Sequence, residues 1–221
     1  MTAARRPQAV LFDLDGTLAD TAADLARALN SVLRDEGRPQ LPFARIRPTV
    51  SLGGLAMLRM AFPGDEGDAL ADRYRRFLDY YAAAVAEQTA LFPGMAQVLD
   101  AVEAAGLRWG IVTNKITRLT EPILDALGLR LRCACTVCGD TIAHAKPHPA
   151  PLLHACNVLN IAPQGAVYIG DAQRDVDAGK QAGMATIIAR YGYIEDGATV
   201  ESWGADHLID RPEDLIRLLD L

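Results

Sequence analysis

Short, continuously apolar runs alternate along the chain with stretches whose apolar residues recur every three or four positions. That alternation predicts a parallel sheet covered by helices. The first run, 9–14, is apolar at every position until Asp13, as expected of a strand buried on both faces. Further strands are predicted at 108–112, 135–138, 166–169 and 185–189, with 207–209 as an extra edge strand. The helical pattern predicts helices at 94–105, at 119–127 closed by Gly128, at 151–159 and on to Ala182. Pro212 is expected to open a last helix ending at Leu219.

The interval between the first two strands breaks this rhythm. Apolar residues at Ala22, Leu25, Leu29, Val32 and Leu33 predict a helix beginning after Thr21, with Asp24 as its capping-box partner. Gly37 and Pro39 stop it. Residues 40–54, with Pro42, Pro48, Gly53 and Gly54, read largely as loop. A second helical pattern runs from Leu70 through Tyr74, Phe77 and Tyr81 to Val85. One strand–helix–strand crossover needs little more than ~30 residues, and this interval is about three times that. The expected organisation is therefore an α/β protein: a Rossmann-like parallel-sheet core, 1–19 and 89–221, with an inserted α-helical cap, 20–88. Phe92-Pro93-Gly94 marks the return to the core.

Composition narrows the function. The chain has 221 residues, half of them hydrophobic, and a net charge of −6. The acidic balance argues against a nucleic-acid partner, which calls for a basic patch. No run approaches the ~20 apolar residues of a membrane span, so no membrane partner is expected. Arg5 and Arg6 precede Ala9-Val10-Leu11-Phe12, but Asp13 leaves that run too short and too charged for a signal peptide. A cytoplasmic protein is expected. The cysteines Cys133, Cys135, Cys138 and Cys156 lack a second Cys-x-x-Cys pair, and His144 and His148 fall in a proline-rich loop. Buried thiols are the expected reading, ahead of a zinc knot. The sequence sets no oligomeric state.

Ligands of open α/β sheets bind outside the carboxyl ends of the strands. Asp13, Asp15, Gly16 and Thr17 follow the first predicted strand; Thr113, Asn114 and Lys115 follow the second. The loop after the third reaches Lys146-Pro147, and Gly170, Asp171 and Asp175 follow the fourth. Converging carboxylates repel, and one would be forced to keep a proton. A hard divalent cation removes the conflict, and an oxygen-rich donor set points to Mg²⁺ over zinc. A carboxylate in line with phosphorus is a competent nucleophile, which gives Asp13 an aspartyl-phosphate role. Asp15, two residues on, is placed to protonate a leaving alcohol and later activate water. Lys146 offers a positive charge and Thr113 a hydroxyl donor to phosphoryl oxygens. Asp175, beside Arg174, could equally be a solvated helix residue.

Asp13-Leu14-Asp15-Gly16-Thr17, Thr113, Lys146-Pro147 and Gly170-Asp171-x-x-x-Asp175 resemble the four ordered motifs of the haloacid dehalogenase superfamily. The resemblance spans the chain and includes a helical cap after the first motif. It implies Asp13 as nucleophile, Asp15 as general acid/base, and Thr113, Asn114 and Lys146 as phosphate binders. It further implies Mg²⁺ on Asp13, Asp171 and the Asp15 main-chain carbonyl, supported by Asp175. Dehalogenases of this superfamily lack the second aspartate, so Asp15 favours phosphate ester hydrolysis, and a small phosphorylated metabolite is the expected partner.

Within the superfamily the chain is similar to bacterial phosphoglycolate phosphatases, a resemblance that implies hydrolysis of 2-phosphoglycolate to glycolate and phosphate as the expected reaction. It also shares details with phosphatases of N-acetylmuramic acid 6-phosphate, such as Ser51-x-Gly53-Gly54 and Arg190-Tyr191-Gly192-Tyr193. Phosphoglycolate would call for a cationic partner to its carboxylate, and Arg47 is the candidate, with Gly53 and Gly54 as a substrate loop. A sugar-phosphate mutase shares the four motifs. A non-catalytic phospho-acceptor module of the receiver type also uses clustered aspartates, but it needs no cap.

Overall fold

The computed structural model describes residues 6–195 and 197–221. Arg5, used in reading the N-terminus, lies outside the described residues.

Strand β1 (Ala9–Phe12) is followed by a two-residue strand β2 (Ala19–Asp20) and helix α1 (Ala22–Asp35). Helix α2 (Phe43–Ile46), a 3-10 turn (Arg47–Leu52), α3 (Gly54–Ala61) and α4 (Gly67–Ala83) come next. The chain then passes through β3 (Ala90–Leu91) to α5 (Met95–Ala104), β4 (Arg108–Val112) and α6 (Thr117–Ala126). It continues with β5 (Cys135–Val137), α7 (Ala150–Leu159), β6 (Ala166–Gly170) and α8 (Gln173–Ala182). Strands β7 (Ala185–Ala189) and β8 (His207–Ile209) and helix α9 (Asp214–Leu218) complete it.

Six strands form one parallel sheet in the order β5-β4-β1-β6-β7-β8. All four β1 residues are fully buried, because alternate side chains serve opposite faces. Val10 and Phe12 join the core that contains α5, α6 and α9; Ala9 and Leu11 join the core beneath α7 and α8. The Phe12 and Trp109 rings pack edge to face, with centroids 6.4 Å apart. The chain leaves β1 for β4 on one side and reaches β6 on the other. The carboxyl end of β1 is therefore the point where strand order reverses, the usual site of a ligand crevice.

Helices α1, α3 and α4 pack on one another, and α1 also supports the 3-10 turn. Strands β2 and β3 pair antiparallel where the chain enters and leaves this helical segment. Two local expectations are corrected. Residues 40–54 are largely helical. Pro48 lies in the first turn of the 3-10 segment, where a missing N–H is no loss, and Gly53 supplies the positive φ of 89° that separates it from α3. The capping box of α1 does not form. Thr21 makes no side-chain cap; instead the first N–H groups, those of Thr21 and Ala22, donate to the Tyr193 hydroxyl at 2.7 and 3.0 Å. Asp24 accepts from the Gln88 N–H and from both the N–H and hydroxyl of Thr89, at 2.7–3.2 Å. It thus ties α1 to the chain leaving α4.

All four cysteines are free thiols. Among the described residues no helix is long and apolar enough to cross a membrane.

Candidate active site

Three carboxylates meet at the carboxyl edge of the sheet. Asp13 directly follows β1 and continues its ladder, its N–H donating to Ile169 O at 2.8 Å. Asp171 directly follows β6, and Asp175 lies in the first turn of α8. One carboxylate oxygen from each falls within 4.8 Å of the others. All three residues are at most 2 % exposed. Gly16, at φ +80°, lets the chain turn over this cluster; a Cβ there would collide with the Asp171 carboxylate.

Lys146 faces the cluster. Its Nζ lies 3.0 Å from Asp13 Oδ1, 2.8 Å from Asp175 Oδ1, 2.9 Å from Val112 O and 2.6 Å from the Tyr168 hydroxyl. The Asn114 side chain grips the Lys146 backbone, accepting from its N–H and donating to its carbonyl, both at 2.9 Å. Asn114 thus places the lysine, a task the sequence does not disclose. Thr113 is buried, and its Oγ1 accepts the Lys115 N–H at 3.2 Å.

Lys146 and the guanidinium of Arg174 do not balance three buried carboxylates. Burial, and then the charges of Asp175 and Asp13, push Asp171 up to about 7. Burial also raises Asp13, against the pull of Lys146. Burial would raise Asp175 as well, but Lys146 and Arg174 outweigh it and hold the carboxyl below its ordinary value. Such an oxygen-only, over-negative donor set fits a hard divalent cation. The residues fit the ion the motifs call for, with Asp175 inside the cluster and not merely near it.

The Asp15 side chain stands apart from the three. Its Oδ1 accepts the Thr21 hydroxyl at 2.5 Å and lies 3.0 Å from Lys115 Nζ. Lys115 in turn donates to the hydroxyl of Tyr81 on α4, 3.1 Å away. Burial would lower the Lys115 pKa, but Asp15 and Tyr81 outweigh it and hold the ammonium charged.

A cavity of about 240 Å³ opens beside Asp13 and Asp15. Thr113, Asn114 and Lys115 line its sheet side; Gly53, Gly54, Met57, Phe77 and Tyr81 line the helical side. Arg47 is not in the lining. Its guanidinium donates to Tyr191 O and Gly192 O, both at 3.2 Å, and lies over the Tyr193 ring. The expectation that Arg47 waits for a substrate carboxylate is corrected accordingly: two backbone carbonyls occupy its fork.

Three residues here carry roles that the sequence does not assign to them. Arg174 and Lys115 line the cavity, and each adjoins a motif residue, which is the signal that could have found them. Ser51 donates to Asp171 Oδ2 at 2.5 Å from the 3-10 turn, a contact that only the folded chain reveals.

Residues 10–189 match the family model described as haloacid dehalogenase-like hydrolase. The chain is 41 % identical over 216 residues to an N-acetylmuramic acid 6-phosphate phosphatase of Pseudomonas putida, covering 97 % of each. It is 43 % identical over 211 residues to a phosphoglycolate phosphatase of Xanthomonas campestris pv. campestris, covering 96 % of each. The crystal structure of a predicted phosphoglycolate phosphatase from Haemophilus somnus superposes with a TM-score of 0.86 at 27 % identity, over 98 % of this chain and 99 % of that one. With the parallel sheet, the carboxylates at its switch point and a family match over most of its length, the chain belongs to the haloacid dehalogenase-like hydrolases and stands with these relatives among the phosphatases of that family.

Proposed function

We propose that the chain hydrolyses a small phosphomonoester through covalent catalysis by Asp13, with Mg²⁺ as cofactor and residues 20–88 acting as a cap. The observation that carries this reading is the meeting of Asp13, Asp171 and Asp175 opposite Lys146. Mg²⁺ held by Asp13 and Asp171, with Asp175 in support, would neutralise charge on the phosphoryl oxygens. An Asp13 oxygen attacks phosphorus, and the bond from phosphorus to the ester oxygen breaks. The electron pair leaves on the alcohol oxygen, which takes a proton from the Asp15 carboxyl. The Asp15 carboxylate then removes a proton from water as that water attacks the aspartyl-phosphate. Phosphate departs, and Asp13 recovers its carboxylate. The helical segment closes over the cavity and excludes bulk water, which strengthens each charge interaction inside. A receiver-type acceptor would have no use for that lid.

For the substrate, the helical side of the cavity is the guide. Its lining is apolar and aromatic, and among the described residues it contributes no cation. Such a wall offers apolar and aromatic surface to the ring of a sugar phosphate, which a two-carbon acid lacks; the carboxylates of both substrates meet the same cation-free wall. N-acetylmuramic acid 6-phosphate, the substrate named for the Pseudomonas relative, is the first reading. 2-Phosphoglycolate, named for the Xanthomonas relative, is the second, favoured by the Lys115 ammonium in the lining.

A phosphomonoester panel compared by kcat/KM tests both. The first reading expects N-acetylmuramic acid 6-phosphate to exceed 2-phosphoglycolate by about tenfold or more; the reverse order assigns the second. Chelation should abolish turnover, and Mg²⁺ should restore it better than Zn²⁺. Full activity in metal-free enzyme would overturn the cofactor, and no turnover of any ester would overturn the function.

A further inference from the structure

Lys146 is the cation the sequence offers to a phosphoryl group, yet its donors are engaged. An ammonium has three N–H bonds. Four oxygens, of Asp13, Asp175, Val112 and Tyr168, already lie within 3.0 Å of Nζ. The charge acts on the cluster, but no N–H is left over for a ligand.

Arg174 is the opposite case. It lies in the first turn of α8 beside Asp175, and its side chain lines the cavity while remaining only 24 % exposed. Its Nη1 donates to Ser51 O of the 3-10 turn. Its Nε is buried and has no hydrogen-bond partner among the described residues. Its Nη2 lies 3.9 Å from Asp13 Oδ2, beyond hydrogen-bond reach. Asp13 Oδ1 accepts the Leu14 N–H at 2.8 Å and faces Lys146, which leaves Oδ2 as the less engaged oxygen.

We propose that Arg174 is the guanidinium that hydrogen-bonds the phosphoryl group, a binding residue outside the four motifs. The proposal rests on reading Asp13 as the nucleophile. Phosphorus approaching Oδ2 brings an equatorial oxygen toward Nη2, and the planar fork of arginine matches phosphate geometry. Because Nη1 holds the Ser51 carbonyl, the same side chain touches the phosphoryl site and the helical segment. Phosphate binding and closure of that segment thereby share one residue.

The test is calorimetric titration of the Mg²⁺-loaded protein with inorganic phosphate. R174Q should weaken the phosphate Kd by about 10–100-fold, the value of charge-assisted hydrogen bonds. R174K, which keeps the charge and loses the fork, should weaken it by about 3–10-fold. If R174Q fails to fold, R174K alone decides. Phosphate affinity within about twofold of the parent in the folded variants overturns the proposal, and so does a rise confined to the KM of a full-length ester. That last pattern would mean that Arg174 reads the substrate body or only holds the helical segment. Failure of the Asp13 reading looks different: D13N would retain steady-state turnover whatever the phosphate affinity of the Arg174 variants.

Discussion

Asp171 shows how far the site is from electrostatic balance on its own. It titrates at about 7 in the folded protein against an ordinary value of 3.8. The folded state therefore holds this proton longer than the unfolded chain does. Its contribution to stability is full below about pH 4 and is lost as pH rises through about 7. Between pH 5 and pH 7.5 the metal-free protein should lose about 2.5 kcal/mol from this residue. D171N removes that loss. Relative to the parent in chelator, D171N should gain about 2.5 kcal/mol more at pH 7.5 than at pH 5 in urea unfolding. An equal difference at both pH values would contradict the burial of an uncompensated charge. The carboxylates were legible as residues because they end apolar strands. The roles around them were not, since Asn114 gripping the Lys146 backbone and Ser51 reaching Asp171 span 32 and 120 positions of sequence.

The elements were read best where burial alone fixes them. Strands β1, β4, β6 and β7 are apolar runs enclosed by helices, and their residues announce it. Short helices are not legible where proline and glycine suggest loop, because proline in a first turn reads the same from sequence as proline in a turn. The start of α1 is a different failure. Thr21 and Asp24 carry the local signature of a capping box, but tertiary partners claim both. Tyr193 caps the helix from 172 positions away and donates to Asp20 at 2.7 Å. Y193F should therefore destabilise the protein by about 1–3 kcal/mol, from first-turn N–H groups and Asp20 left without their partner. Urea unfolding measures it, and a change below about 0.5 kcal/mol would assign the capping elsewhere.

At the scale of the molecule, sequence spacing sets a helical segment between β1 and β4, and the structure seats it against the sheet edge through named contacts. Arg47 holds the carbonyls of Tyr191 and Gly192, Tyr81 meets Lys115, and Ser51 meets Asp171. Each contact joins the helical segment to the chain beside a strand end, so the cavity is bounded by both parts. What sequence spacing could not supply is the partner of each polar group across that seam, and hence the fate of Arg47. The proposed hydrolysis requires a covalent bond between Asp13 and phosphate during turnover. Borohydride quenching of the intact protein during turnover, followed by peptide mapping of the entire chain, tests it most directly. An acyl phosphate is reduced to the alcohol, so homoserine should appear at position 13 with substrate and Mg²⁺ present and be absent without substrate. Continued turnover with an unmodified Asp13, or homoserine at another aspartate, would contradict it.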